Sequence, residues 1–174
     1  MKQKIYIAML SMMATVMLAA GTNAQNETFT APNVDYSFML PDAKWKMTVK
    51  PSDTSPNVEY VYGDRLDGHL EVRKITVRKD TLLSKVVEDE QERLQFLLGY
   101  TAGKRETFTG KLRGMIFNYE YLRAGNAMSG RIYFLRADDA TVYAVRFSGM
   151  QAKLKSLEHQ TDSIARTFGV KQPG

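Results

Sequence analysis

Sixteen uncharged residues, 5–20, follow Lys2 and Lys4 and give way to Gly21, Thr22, Asn23 and Ala24. A basic start, an apolar run and a small-residue end are the three parts of a secretory signal peptide. The expected mature chain therefore begins at Gln25, and only the residues from there onward are expected to build a fold. A retained membrane anchor needs about 20 apolar residues. This run is shorter and includes Ser11 and Thr15. It also lacks the polar face of a half-buried helix. There is no cysteine for lipid attachment or a disulfide, although an exported protein would be permitted one. The chain is thus expected to be periplasmic or secreted, with no stable membrane insertion after cleavage.

Removing residues 1–24 leaves 150 of the 174 residues, a length suited to one domain with a real core. Hydrophobic content of 44% and charged content of 25% are globular values. Loss of Lys2 and Lys4 takes the net charge from +5 to +3. That is a mild basicity, and it does not point to a nucleic-acid partner.

Residues 25–34 are polar, contain Pro32 and read as a flexible tail, with a single domain over 35–170. Strands are expected at 36–40, 44–49, 58–62 and 69–77, with Asp67-Gly68 as a turn. The alternation slips between Val72 and Ile75, which suggests a bulge. The period then changes. Leu83, Val86, Val87, Leu94, Leu97 and Leu98 share one side of a helix over 80–98. Asp80 or Thr81 is expected to cap it and Gly99 to end it. The acidic run Glu88, Asp89, Glu90 and Glu92 is scattered around that helix and reads as a solvated face. Glu90 is the exception. It lies near the middle of the apolar stripe, where a carboxylate is costly unless paired. It is expected to pair with an arginine from the sheet or to sit where the helix leaves it, the alternative being an acid or base lining a pocket.

From Lys104 onward the pattern is an antiparallel meander at 104–109, 111–122, 129–136 and 141–148, with turns at Gly110, Gly125-Asn126 and Asp138-Asp139. Ser148 and Gln151 have capping-box spacing. Met150, Leu154, Leu157, Thr161, Ile164, Ala165 and Phe168 then form the stripe of one terminal helix.

The opening Tyr36-Ser37-Phe38-Met39-Leu40-Pro41 with Trp45 behind it, and the closing Asp162-Ser163-Ile164-Ala165-Arg166-Thr167-Phe168, resemble the PsbP-like and DcrB-like family of small exported α/β domains. The likeness in element order covers nearly all of the mature chain. It implies an α+β sandwich, one mostly antiparallel sheet with helices packed against it. It also implies a non-enzymatic binding or accessory role. No functional residue carries over, because the matching motifs are structural. Many bacterial relatives are lipoproteins, and this chain departs from them in lacking cysteine.

No motif names a reaction, a metal or a cofactor. His69 and His159 are the only histidines, and neither sits in a catalytic signature. The binding candidates are aromatic. Tyr60 with Tyr62, and Tyr119 with Tyr121, are two apart on strands, so each pair shares a face. Were the two faces one, the rings would make a tyrosine surface edged by Arg131 and Arg146. Such a surface suits an envelope or secreted protein, a peptide or a glycan. The competing reading is that these rings are simply core. The function expected is a non-enzymatic exported binding or accessory domain. The alternatives are a helix-grip binder of a small hydrophobic ligand and a hydrolase with a dispersed site.

Overall fold

The computed structural model describes residues 27–171. The proposed signal peptide lies outside the described residues. The elements run β1 (Glu27–Phe29), β2 (Tyr36–Leu40), β3 (Trp45–Val49), β4 (Val58–Tyr62), β5 (Asp64–Thr76), α1 (Leu83–Leu94), β6 (Thr101–Thr109), β7 (Arg113–Arg123), β8 (Asn126–Arg136), β9 (Thr141–Met150), α2 (Gln151–Ser156), α3 (Glu158–Thr167) and β10 (Gly169–Val170). Seven strands form one antiparallel sheet in the order β3-β4-β5-β9-β8-β7-β6. A small sheet, β1-β2-β10, lies apart from it. Among the described residues no helix is long and apolar enough to cross a membrane.

Strand alternation gives the large sheet two apolar faces. On the first face Leu70, Val72, Tyr133, Tyr143, Val145 and Phe147 pack against the small sheet and the terminal helices through Tyr36, Phe38, Leu40, Ile164 and Phe168. On the second face Phe117, Tyr119, Ile132, Phe134, Val142 and Ala144 pack against Val86, Val87 and Leu94 of α1. The slip between Val72 and Ile75 has its cause here. No bulge forms, since β5 pairs with β9 in unbroken register from His69 to Thr76. Val72 belongs to the first face and Ile75 to the second, because both faces are covered. The irregularity falls earlier. Residues 65–68 are extra on the β5 side, after Gly63 turns the chain at φ 72°.

Other expectations are corrected by packing. Residues 27–34 do not form a free tail. Glu27–Phe29 pair with β2, and Phe29 is buried with its ring 4.8 Å from that of Phe38. One aromatic ring anchors a segment whose composition is otherwise polar. Asp80 does not cap α1, because it sits at φ 68°; Leu82 takes the N-cap position without a side-chain hydrogen bond. The helix ends at Leu94, and Leu98 is exposed rather than in the stripe. The terminal helix is two helices meeting at Leu157, whose backbone stands at φ −95°, ψ 3°. No Ser148–Gln151 capping box forms. Met150 is the N-cap residue, and the Gln151 amide donates instead to Glu120 at 2.7 Å. Glu90 meets the expected kind of partner, Arg73 of β5, whose Nη2 donates to its carboxylate at 2.8 Å.

Candidate functional site

The second face of the sheet is only partly covered. Helix α1 packs over β7 and β8, and the part formed by β4, β5 and β9 is left to charged side chains. Alternation places Glu59 of β4, His69, Glu71 and Arg73 of β5, and Arg146 and Ser148 of β9 there. Glu59 accepts a hydrogen bond from Arg65 at 3.0 Å and lies 2.8 Å from His69 Nε2. Arg73 is engaged with Glu90, and its Nε lies 3.5 Å from Glu71. Arg146 is held differently. Its Nε donates to the Tyr119 hydroxyl at 2.7 Å, and its guanidinium stands 5.5 Å from the centre of that ring. Burial raises the Tyr119 phenol above its ordinary range, so it stays neutral beside the arginine.

His69, Glu71, Arg146 and Ser148 border a cleft of about 380 Å³ together with Arg65, Arg123, Tyr121 and Leu122. Its apolar side continues outward. After α1 the chain is held in a tight turn by Leu97 N–H to Leu94 O (2.9 Å) and Tyr100 N–H to Leu97 O (3.1 Å). Leu122 N–H to Leu98 O (2.7 Å) ties this turn to β7. Phe96 is 84% exposed and Leu98 73%, with Leu122 partly exposed beside them. Three large apolar side chains, Phe96, Leu98 and Leu122, are thus in solvent, and Leu122 borders the arginine-rich cleft.

A second cleft of about 440 Å³ opens on the opposite face, between the β6–β7 edge and α2–α3. Arg131 borders it but is spent internally. It reaches Glu158 at 3.1 Å, Asp162 at 3.2 Å and the Tyr133 hydroxyl at 2.7 Å, stapling α3 to the sheet.

The six binding residues expected from the sequence are therefore dispersed. Tyr60 is buried in the first-face core, against Phe29 and Phe38. Tyr62 is half-buried on that same face against Trp45, with its hydroxyl donating to Asp42 at 2.8 Å. Tyr119 and Tyr121 belong to the second-face core. The single tyrosine surface does not form, because the pairs occupy opposite faces and three of the four rings are buried. Arg131 and Arg146 are likewise on opposite faces. Tyr119, Tyr121 and Arg146 do come together on the second face, and of these Tyr121 and Arg146 border the smaller cleft. The sequence pattern did not point to Arg65, His69, Phe96, Leu98 and Leu122 as their neighbours. One signal was available: Phe96 lies outside the apolar stripe of α1 and has no core position to fill.

A glycine links this cleft to the fold. Gly130 is directly across from Tyr119, and a Cβ there would fall 2.1 Å from the ring carbon Cζ. Gly130→Ala is expected to cost about 1–3 kcal/mol by overpacking. It should also disturb Arg146, whose hydrogen-bond partner is displaced. Denaturant midpoints and the Arg146 side-chain NMR signal check this; two unmoved values would refute it.

The pairing of His69 with Glu59, and the position of Ser148 directly across from His69, invite comparison with a nucleophilic triad. His69 turns its Nε2 to Glu59, and among the described residues no hydrogen bond joins it to Ser148. Among the described residues no three metal-ligating side chains converge.

No family model matches the chain, and no curated protein sequence does either. Solved structures do match in fold. LpqN of Mycobacterium tuberculosis, described as involved in cell envelope biogenesis, is 13% identical with a TM-score of 0.55, covering 87% of this chain and 88% of its own. The cyanobacterial PsbP of Synechocystis is 11% identical with a TM-score of 0.58, over 87% of this chain and 95% of its own. The Ran-binding protein Mog1p of Saccharomyces cerevisiae is 14% identical with a TM-score of 0.59, over 84% and 96%. The fold is PsbP/Mog1-like, an α+β arrangement of a large antiparallel sheet with helices packed on it.

Proposed function

We propose that this chain is a non-enzymatic binding or accessory domain, exported by residues 1–24, that docks an envelope or secreted protein on the surface beside α1. The observation that carries this reading is the exposure of Phe96 and Leu98 on a hydrogen-bonded turn. Large apolar side chains clustered in solvent and rimmed by charge mark interaction sites. Fold neighbours described as involved in cell envelope biogenesis and as Ran-binding support the same class. The helix-grip alternative has less behind it. The space between the sheet and α3 is packed with Tyr133, Tyr143, Phe147, Ile164 and Phe168.

Site-directed photo-crosslinking in the native host tests the reading. A photoreactive residue in place of Leu98 should give one discrete protein adduct. The same residue in place of Lys155, exposed on α2 at the other face, should give none. Equal labelling at both positions, or none at either, would refute the docking surface. Mass spectrometry of the recovered chain should find Gln25 as its first residue; an intact amino terminus would refute export.

A further inference from the structure

We infer that the cleft beside α1 takes the carboxylate of an acidic side chain from the docked protein, with Arg146 as its fork and Leu122 and Tyr121 against the neighbouring apolar residue. This rests on the docking surface proposed above and names the chemistry of its partner.

The assignment depends on which charges are already engaged. Arg65 and His69 share Glu59, and Arg73 is engaged with Glu90 and Glu71. Glu71 lies directly across from Arg146 and borders the same cleft, where its charge acts on Arg146, but its nearest ion-pair contact is Arg73 Nε at 3.5 Å. Arg146 uses one N–H on the Tyr119 hydroxyl and, among the described residues, forms no ion pair. Its two terminal nitrogens are left for the cleft that it borders. A guanidinium presents these as a planar fork that matches a carboxylate. Two features place the fork in advance: the bond to Tyr119, and the close packing of that ring over Gly130. Partial burial strengthens its attraction for an anion. Arg123 adds a second positive charge at the exposed rim. Glu59 and Glu71 on the same face disfavour a doubly charged phosphate relative to a single negative charge. The apolar wall of Leu97, Tyr121 and Leu122 adjoins Leu98, whose carbonyl accepts from Leu122 N–H. This wall suits a peptide with an acidic residue beside large apolar ones.

The test is an NMR titration of chain 25–174 with a capped Glu-Leu-Phe tripeptide, its Gln-Leu-Phe counterpart and inorganic phosphate. The glutamate peptide should shift the Arg146 Nε–H signal and the Leu122 signals saturably. The glutamine peptide should bind about tenfold more weakly. Arg146→Met should abolish that preference. Because it also strands the Tyr119 hydroxyl, Arg123→Gln at the exposed rim provides a second test and should weaken the glutamate peptide severalfold. Equal binding of the two peptides, or a phosphate response at Arg146 matching that of the glutamate peptide, would overturn the assignment. If Leu98 crosslinks a partner while the glutamate peptide leaves Arg146 unmoved, the carboxylate assignment falls and the docking surface stands. If neither occurs, both fall.

Discussion

Phe168→Ala is expected to lower the unfolding free energy by about 3–5 kcal/mol, the usual range for emptying a buried aromatic site. Phe168 is fully buried and lies where three parts of the fold meet. Its ring centre is 5.3 Å from Tyr36, 6.1 Å from Phe38 and 5.2 Å from Tyr143. It therefore joins α3 and the small sheet to the centre of the large one. Little can collapse into the space, because the neighbours are rigid rings on paired strands. Urea midpoints give the measurement. A loss under about 1 kcal/mol would mean that the small sheet is not held through this residue. Partial detachment of β1 and β2 would show as early hydrogen exchange at residues 27–40 in the variant.

The second large effect concerns charge. Arg73→Met is expected to cost about 2–4 kcal/mol, because it leaves Glu90 in the α1 stripe without its close partner and one-sided removal of a buried pair is strongly destabilising. Arg93 is a weak substitute, at 3.6 Å and largely in solvent. Replacing both residues, Arg73→Met with Glu90→Leu, should recover most of the loss, since an apolar pair of similar volume often replaces a buried ion pair without penalty. Chemical denaturation of the single and double variants decides it. A double variant no more stable than Arg73→Met would show that packing of the arginine stem, rather than the stranded carboxylate, sets the cost.

The pairing of Arg73 with Glu90 also shows what was legible. A carboxylate in an apolar stripe announces that it needs a partner, and burial makes an arginine from the opposing sheet the reasonable choice. Which arginine was not legible, because that depends on how α1, lying over β7 and β8, is placed relative to β5. Strand positions around Tyr36–Leu40, Val58–Tyr62 and the meander were readable from period-two alternation and turn residues. The break at Leu157 was not. No glycine or proline marks it, and the buried stripe of Leu154, Leu157, Thr161, Ile164 and Phe168 runs through both helices. Met150 departs from the expected stripe for a related reason. It ends a strand and faces the second core, while the residues after it serve the first.

The candidate site divides in the same way. Local pattern sufficed to put Tyr60 on one face with Tyr62 and Tyr119 on one face with Tyr121, because side chains two apart on a strand point the same way. It also sufficed to show that Glu90 required a cation and that Phe96 fell outside the helix stripe. Long-range packing was needed to set the two tyrosine pairs on opposite faces and to leave Arg146, not Arg131, with free donors. The same packing joined His69 to Glu59 and set Leu122 beside Leu98. The physical reason is register. Local periodicity orients residues within one strand, whereas the relation between strands is set by long-range pairing and by which face each helix covers, and neither is written in any short stretch of the chain.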